Sequence, residues 1–255
     1  MNDIAKRRFL IAACTLAFAA AAPQALSFDW TWTKGEQVKG NGKVQRQARE
    51  TGPFTGISLS LPGNVEVRSG ARDGVTVETD ANLLPLIETV VENGTLQIRA
   101  KKHANLQTRT LKFVVQARQL ERLSLGGSGD IDADTMRGER IRIDIGGSGD
   151  VKVGKVEGGT LDVDIGGSGD LDVGGGNVRS LSVSLAGAGD VDLARVRSED
   201  AKVSIAGSGD AKVWARNALS TAIAGSGDVD YYGDPRVSKS VVGSGEVRRQ
   251  GAAPR

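Results

Sequence analysis

Six aspartates and one glutamate recur at a fixed place in this chain: Asp130, Asp150, Asp170, Asp190, Asp210, Asp228 and Glu246. Carboxylates at constant spacing suit two chemistries. They can ligate a hard cation such as calcium, which takes about six to eight oxygens. They can also serve a polysaccharide lyase, where acids hold the cation and a lysine or arginine acts as base. A second column two places on supplies such bases, reading Asp132, Lys152, Asp172, Asp192, Lys212, Asp230 and Arg248. The single histidine, His103, stands beside Lys101 and Lys102 and is read as a loop residue, since no catalytic or metal spacing involves it.

The calcium reading is the sharper one. Gly126-Gly127-Ser128-Gly129-Asp130 is superficially similar to the calcium-binding Gly-Gly-x-Gly-x-Asp nonapeptide. The acid stands one place early, however, and Ile131 occupies the position the motif needs. A metal-free account is simpler. Stacked carboxylates about 4.8 Å apart repel by only about 0.9 kcal/mol in a water-like dielectric, whereas a hydrogen bond from a corner amide to a charged group contributes about 1.5–3 kcal/mol. Asx-type turn capping is therefore expected, with no metal and no cofactor. Mixed charges in the second column are likewise an ordinary way to balance a solvated sheet face.

The elements that carry these residues follow from the glycines. Each acid closes a Gly-(Ser/Ala)-Gly-(Asp/Glu) block, and the first glycines are Gly127, Gly147, Gly167, Gly187, Gly207, Gly225 and Gly243. They lie 20, 20, 20, 20, 18 and 18 residues apart. The second glycines, Gly129, Gly149, Gly169, Gly189, Gly209, Gly227 and Gly245, keep the same period. Around them apolar residues alternate with polar ones, as in Ile141, Ile143, Ile145, then Val151 and Val153. That is strand periodicity with one buried face. Each period thus holds two short strands, a glycine corner and a looser second turn, and successive copies are expected to pair in parallel as the coils of an all-β solenoid.

The amino terminus reads as an export signal over 1–27: Lys6-Arg7-Arg8, an apolar stretch Phe9 to Ala22, and Ala25-Leu26-Ser27. Arg7-Arg8-Phe9 resembles a twin-arginine signal. The apolar stretch of 14 residues is too short to span a bilayer, and the only cysteine, Cys14, falls inside it. Residues 28–53 are read as a cap or linker, with Phe28-Asp29-Trp30-Thr31-Trp32 as a short capping strand. Without residues 1–27 the bases and acids balance, 33 − 3 = 30 against 31 − 1 = 30. A neutral chain with 4% aromatic residues is not built to bind nucleic acid.

From Phe54 the alternation starts less regularly, with Ile57, Leu59, Leu61, a Pro62-Gly63-Asn64 corner, Val65 and Val67. One solenoid is expected over 54–250, with irregular coils over 54–125, regular repeats over 126–250 and a tail at 251–255. Phe54-Thr55-Gly56-Ile57, Val65-Glu66-Val67, Val75-Thr76-Val77-Glu78, Asn82-Leu83-Leu84, Ile87-Glu88-Thr89-Val90 and Gly94-Thr95-Leu96-Gln97-Ile98 come before the Gly-Ser-Gly-Asp series. In that order they resemble the bacterial family called putative auto-transporter adhesin, head GIN domain. The resemblance covers about residues 40–250. It implies a right-handed parallel β-helix with the glycine corners joining two sheets, similar in shape to pectin-lyase-like proteins but without a catalytic set. Five residues follow Gln250, so a self-secreting membrane barrel within this sequence is not expected.

The functional expectation is an exported, non-catalytic β-solenoid that meets a protein or glycan of the cell envelope, in the periplasm or at the surface. It has no transmembrane span, and self-association is open. A carbohydrate-active β-helix enzyme and a calcium-binding repeat protein are the alternatives.

Overall fold

A computed structural model describes residues 36–101 and 104–254, all within the unit Lys34–Arg255. The export signal, the Phe28–Trp32 alternation and His103 lie outside the described residues.

The alternation seen in the sequence becomes an inside and an outside. Ile141, Ile143 and Ile145 are buried, while Arg140 before them and Arg142 between them are exposed. Ile131–Ile145 pairs in parallel with Val151–Ile165, each residue facing the one 20 places on. The ladder runs in three stretches, 131–133, 135–138 and 140–145, so each coil bends at its glycine corner and twice more near Asp134 and Glu139. The same pairing carries on through Gly176–Gly187, Val191–Gly207 and Ala211–Gly225 to Arg236–Gly243. The protein is a β-solenoid, and no α-helix occurs among the described residues. Its interior is a continuous column of valine, leucine and isoleucine from successive coils.

Chain order and stacking order differ in the first half. Gly56–Leu59 pairs on one side with Arg122–Leu125 and on the other with Thr95–Ala100. Asn64–Ser69 likewise lies between Leu111–Ala117 and the start of Ile131–Ile145. The coil made by 56–69 is therefore second in the stack, and the coil made by 95–117, later in sequence, is first. The chain reaches that first coil through strands that run the other way. Gly74–Asp80 is antiparallel to Leu111–Ala117, and Ile87–Glu92 is antiparallel to Thr95–Ala100.

These reversals close one mouth of the solenoid. An Asn93-Gly94 turn, with φ of 50° and 72°, makes the hairpin between Ile87–Glu92 and Thr95–Ala100, as expected for two residues that accept positive φ. The short helical turn Leu84–Leu86 and the buried Leu83 and Ile87 lie over this end of the core. Val44–Glu50 adds antiparallel to Gly74–Asp80, and Glu36–Lys39 pairs with Ala104–Gln107.

The change of period from 20 to 18 occurs at the second turn and not at the glycine corner. Leu193 faces Val213 and Asp200 faces Ala218, so residues 194–199 stand against only 214–217. The buried Ser198 hydroxyl donates to the Trp214 carbonyl at 2.8 Å across this irregularity, and Arg197 stacks over the Trp214 ring at 5.8 Å. The corner itself stays in register, Gly207 facing Gly225.

Candidate functional site

The glycine corners are set by how closely the coils approach. A Cβ on Gly147 would stand 1.8 Å from the carbonyl oxygen of Gly127, and one on Gly149 would stand 1.8 Å from that of Gly129. No side chain fits at that distance. From Gly147 on, each coil therefore needs glycine at both positions because the carbonyl of the coil before it fills the space where a side chain would begin. Between them the Ser148 amide donates to the Gly127 carbonyl at 3.2 Å, and Ser168 repeats this on Gly147 at 3.2 Å.

Two residues on, the aspartate amide has no carbonyl partner among the described residues. The aspartate one coil back supplies the acceptor. Asp150 N–H donates to Asp130 Oδ1 at 3.1 Å, Asp170 to Asp150 at 3.2 Å, and Asp190 to Asp170 at 2.8 Å. Asp210 donates to Asp190 at 2.9 Å, Asp228 to Asp210 at 2.8 Å, and Glu246 to Asp228 at 2.8 Å. The seven acids thus form one ladder, as do the glycines beside them. The partner differs from the sequence expectation: the amide capped belongs to the next coil and not to the acid's own turn. The aspartate backbone carbonyls bond the opposite way, Ile131 N–H donating to the Asp150 carbonyl at 2.9 Å.

The outward column also stands in register. Glu66, Asp132, Lys152, Asp172, Asp192, Lys212, Asp230 and Arg248 face one another strand by strand. Its charges are partly paired: Lys212 Nζ lies 3.8 Å from Asp192, and Arg248 contacts Asp228, Asp230 and Glu246. Asp172 faces Asp192, a like-charged pair. A shallow groove of about 740 Å³ runs over this end of the column, lined by Asp172, Asp192, Arg195, Lys212 and Tyr232 among others. A second groove of about 530 Å³ lies over the other end, between Asp132, Lys152 and the overhanging Arg109.

Sequence reasoning missed the first member of this column. Glu66 sits in the irregular half, but the alternation Val65-Glu66-Val67 already points it outward, in step with Asp132. Arg68 and Lys112 both hydrogen-bond its carboxylate, Lys112 at 3.0 Å, and hold its pKa below the usual glutamate value. Glu157 is held low in the same way by Lys155 at 2.5 Å and Arg137 at 2.6 Å.

A third outward surface carries fewer charges in its later coils than in its earlier ones, where Arg142 and Asp144 face Asp162 and Asp164 and these face Ser182 and Ser184. Ser180, Ser182 and Ser184 face Asp200, Lys202 and Ser204, then Ala218, Ser220 and Ala222. Among the described residues, no group of three or more His, Cys, Asp or Glu converges as a metal-binding set, and no helix is long and apolar enough to cross a membrane.

Comparison with known proteins agrees with this geometry. The chain is similar to the crystal structure of a putative adhesin from Bacteroides fragilis NCTC 9343, with TM-score 0.78, 22% identity, and 83% of this chain and 99% of that one covered. It is similar to a putative adhesin from Parabacteroides merdae ATCC 43184, with TM-score 0.67, 20% identity and 84% and 99% coverage. It is also similar to a putative lipid binding protein from Parabacteroides distasonis ATCC 8503, with TM-score 0.65, 24% identity and 84% and 99% coverage. No curated protein matches the chain. At these identities the likeness is one of fold. The sequence pattern of one family matches residues 53–235, which takes in both the out-of-order first coils and all but the last of the glycine corners. The chain belongs to the family described as putative auto-transporter adhesin, head GIN domain.

Proposed function

We propose that this chain is an exported, non-catalytic interaction module of the bacterial envelope, whose working surface is the outward column from Glu66 to Arg248. The carrying observation is the division of labour among the carboxylates. The corner acids are engaged by backbone amides of the next coil, whereas the outward acids and bases form a ladder of mixed charge on solvated strands. Such a ladder repeats its charges at about the 4.8 Å strand spacing, and so suits a partner with its own regular polar groups, such as an envelope glycan. The adhesin descriptions of two neighbours of the same fold favour the same reading. The sequence of residues 1–27, read as an export signal, supports a location outside the cytoplasm.

The test is binding to a panel of purified envelope glycans by surface plasmon resonance. Replacing Lys152 and Lys212 together by alanine is expected to abolish binding while leaving the melting temperature within about 2 °C, as for exposed side chains. Unchanged binding would contradict the assignment of this face.

One observation favours a second reading. The groove over Asp172, Asp192, Arg195 and Lys212 brings acids and bases together, as a polysaccharide lyase requires. Appearance of unsaturated products from acidic polysaccharides, lost on Lys212→Ala, would favour that enzyme over the display module.

A further inference from the structure

The two ends of the solenoid are finished differently. At the first coil, antiparallel strands and Leu83 close the core. At the last coil, Arg236–Gly243 pairs only with Ala211–Gly225 among the described residues, and all eight of its residues are exposed. Its inward positions follow from register: Val237 continues Leu219, Lys239 continues Thr221, and Val241 continues Ile223. Val237 is 40% and Val241 38% exposed, although Leu219 and Ile223 one coil earlier are 1% and 2% exposed.

The middle position is the informative one. Its column reads Ile143, Val163, Val183, Val203, Thr221 and then Lys239. Lys239 has no ion-pair partner among the described residues, whereas Arg248 is met by Asp228, Asp230 and Glu246 and Arg249 by Asp234. A cation between two valines on an unpaired edge has two physical effects. It opposes pairing of this edge with itself. The segment Val237-Ser238-Lys239-Ser240-Val241 reads the same in both directions, so antiparallel self-pairing would set Lys239 against Lys239, which is unfavourable for directly opposed like charges. It also selects what can be added instead.

We propose that the open end is a β-augmentation site for an extended strand of a partner protein, one carrying a carboxylate flanked at period two by apolar residues. The free backbone groups of Arg236–Gly243 supply the hydrogen bonds, the two valines take the apolar side chains, and Lys239 pairs with the carboxylate. This surface is separate from the outward column, so its success or failure is independent of the glycan reading.

The near-palindrome provides a defined probe. A copy bearing Lys239→Glu itself presents an apolar-acid-apolar strand, so an equimolar mixture of native and Lys239→Glu chains is expected to form a one-to-one complex in sedimentation velocity, while each alone stays monomeric. A peptide spanning 235–243 with glutamate at 239 is expected to bind the native chain at least about tenfold more tightly than the same peptide with lysine, as for a close interfacial charge pair. The preference should invert with the Lys239→Glu chain, and circular dichroism should show both chains equally folded. Association of the native chain with itself through this edge, a mixture that stays monomeric, or equal affinity for both peptides would each overturn the proposal.

Discussion

Asp150 Oδ1 accepts the backbone N–H of Asp170 at 3.2 Å, one full coil further along the chain. The bond makes each corner acid a fastener between coils. The acceptor oxygen matters here more than the negative charge, because the aspartates above and below repel it weakly.

It follows that Asp170→Asn and Asp170→Ala should differ in kind. Asparagine keeps an acceptor for the Asp190 amide and relieves repulsion from Asp150 and Asp190, so stability should hold or rise slightly. Alanine leaves the Asp190 amide without that acceptor and should cost about 1 kcal/mol. Urea denaturation of the two variants side by side measures the difference.

The glycine corners give a steeper contrast. Gly149→Ala would put a Cβ 1.8 Å from the Gly129 carbonyl oxygen, whereas Gly166 has nothing within 4 Å of the same position. The first substitution should cost more than about 3 kcal/mol because backbone must move. The second should stay within about 0.5 kcal/mol. Thermal unfolding of both variants checks the pair.

Thr221 should be improvable. It is 3% exposed, and its hydroxyl has no hydrogen-bond partner. It occupies a column that holds valine in the three coils before it, at 163, 183 and 203. Thr221→Val removes an unsatisfied buried group without changing shape, and should stabilise by about 1–2 kcal/mol in chemical denaturation.

Glu66 carries a pH prediction. Arg68 and Lys112 lower its pKa in the folded state. The stabilisation is therefore present at neutral pH, above the unfolded value, and is lost as pH falls through the lowered folded value. An NMR titration should find the Glu66 carboxyl titrating below an ordinary glutamate and moving up on Arg68→Ala. The effect on stability should be small, since the side chain is partly open to solvent.

How far the sequence could be read depended on whether a relationship repeats. The Gly-x-Gly-Asp period was visible because every coil from Gly147 on meets its neighbour through the same carbonyl contact, which no other residue type tolerates. The order of the first coils was not visible. Thr95–Ala100 and Gly56–Leu59 alternate alike, and nothing local in either says that the later strand stacks outside the earlier one. The acceptor role of Asp130 was half legible: a short polar side chain at a corner signals amide capping, but the amide it caps exists as a neighbour only after 20 residues have returned to the same face. Lys239 was legible in principle, since a shift of 18 residues sets it on Thr221. The alternation in that last strand has no buried face to make the position stand out.

The central claim is that corner acids fasten coils while outward charges meet the partner. Co-sedimentation of the purified chain with washed envelopes of the native bacterium, run beside thermal unfolding, tests it most directly. Asp170→Ala should lower the melting temperature and leave co-sedimentation intact, whereas Lys152→Ala with Lys212→Ala should abolish co-sedimentation and leave the melting temperature unchanged. The reverse pattern, or tight stoichiometric calcium uptake that Asp170→Ala removes, would contradict the account.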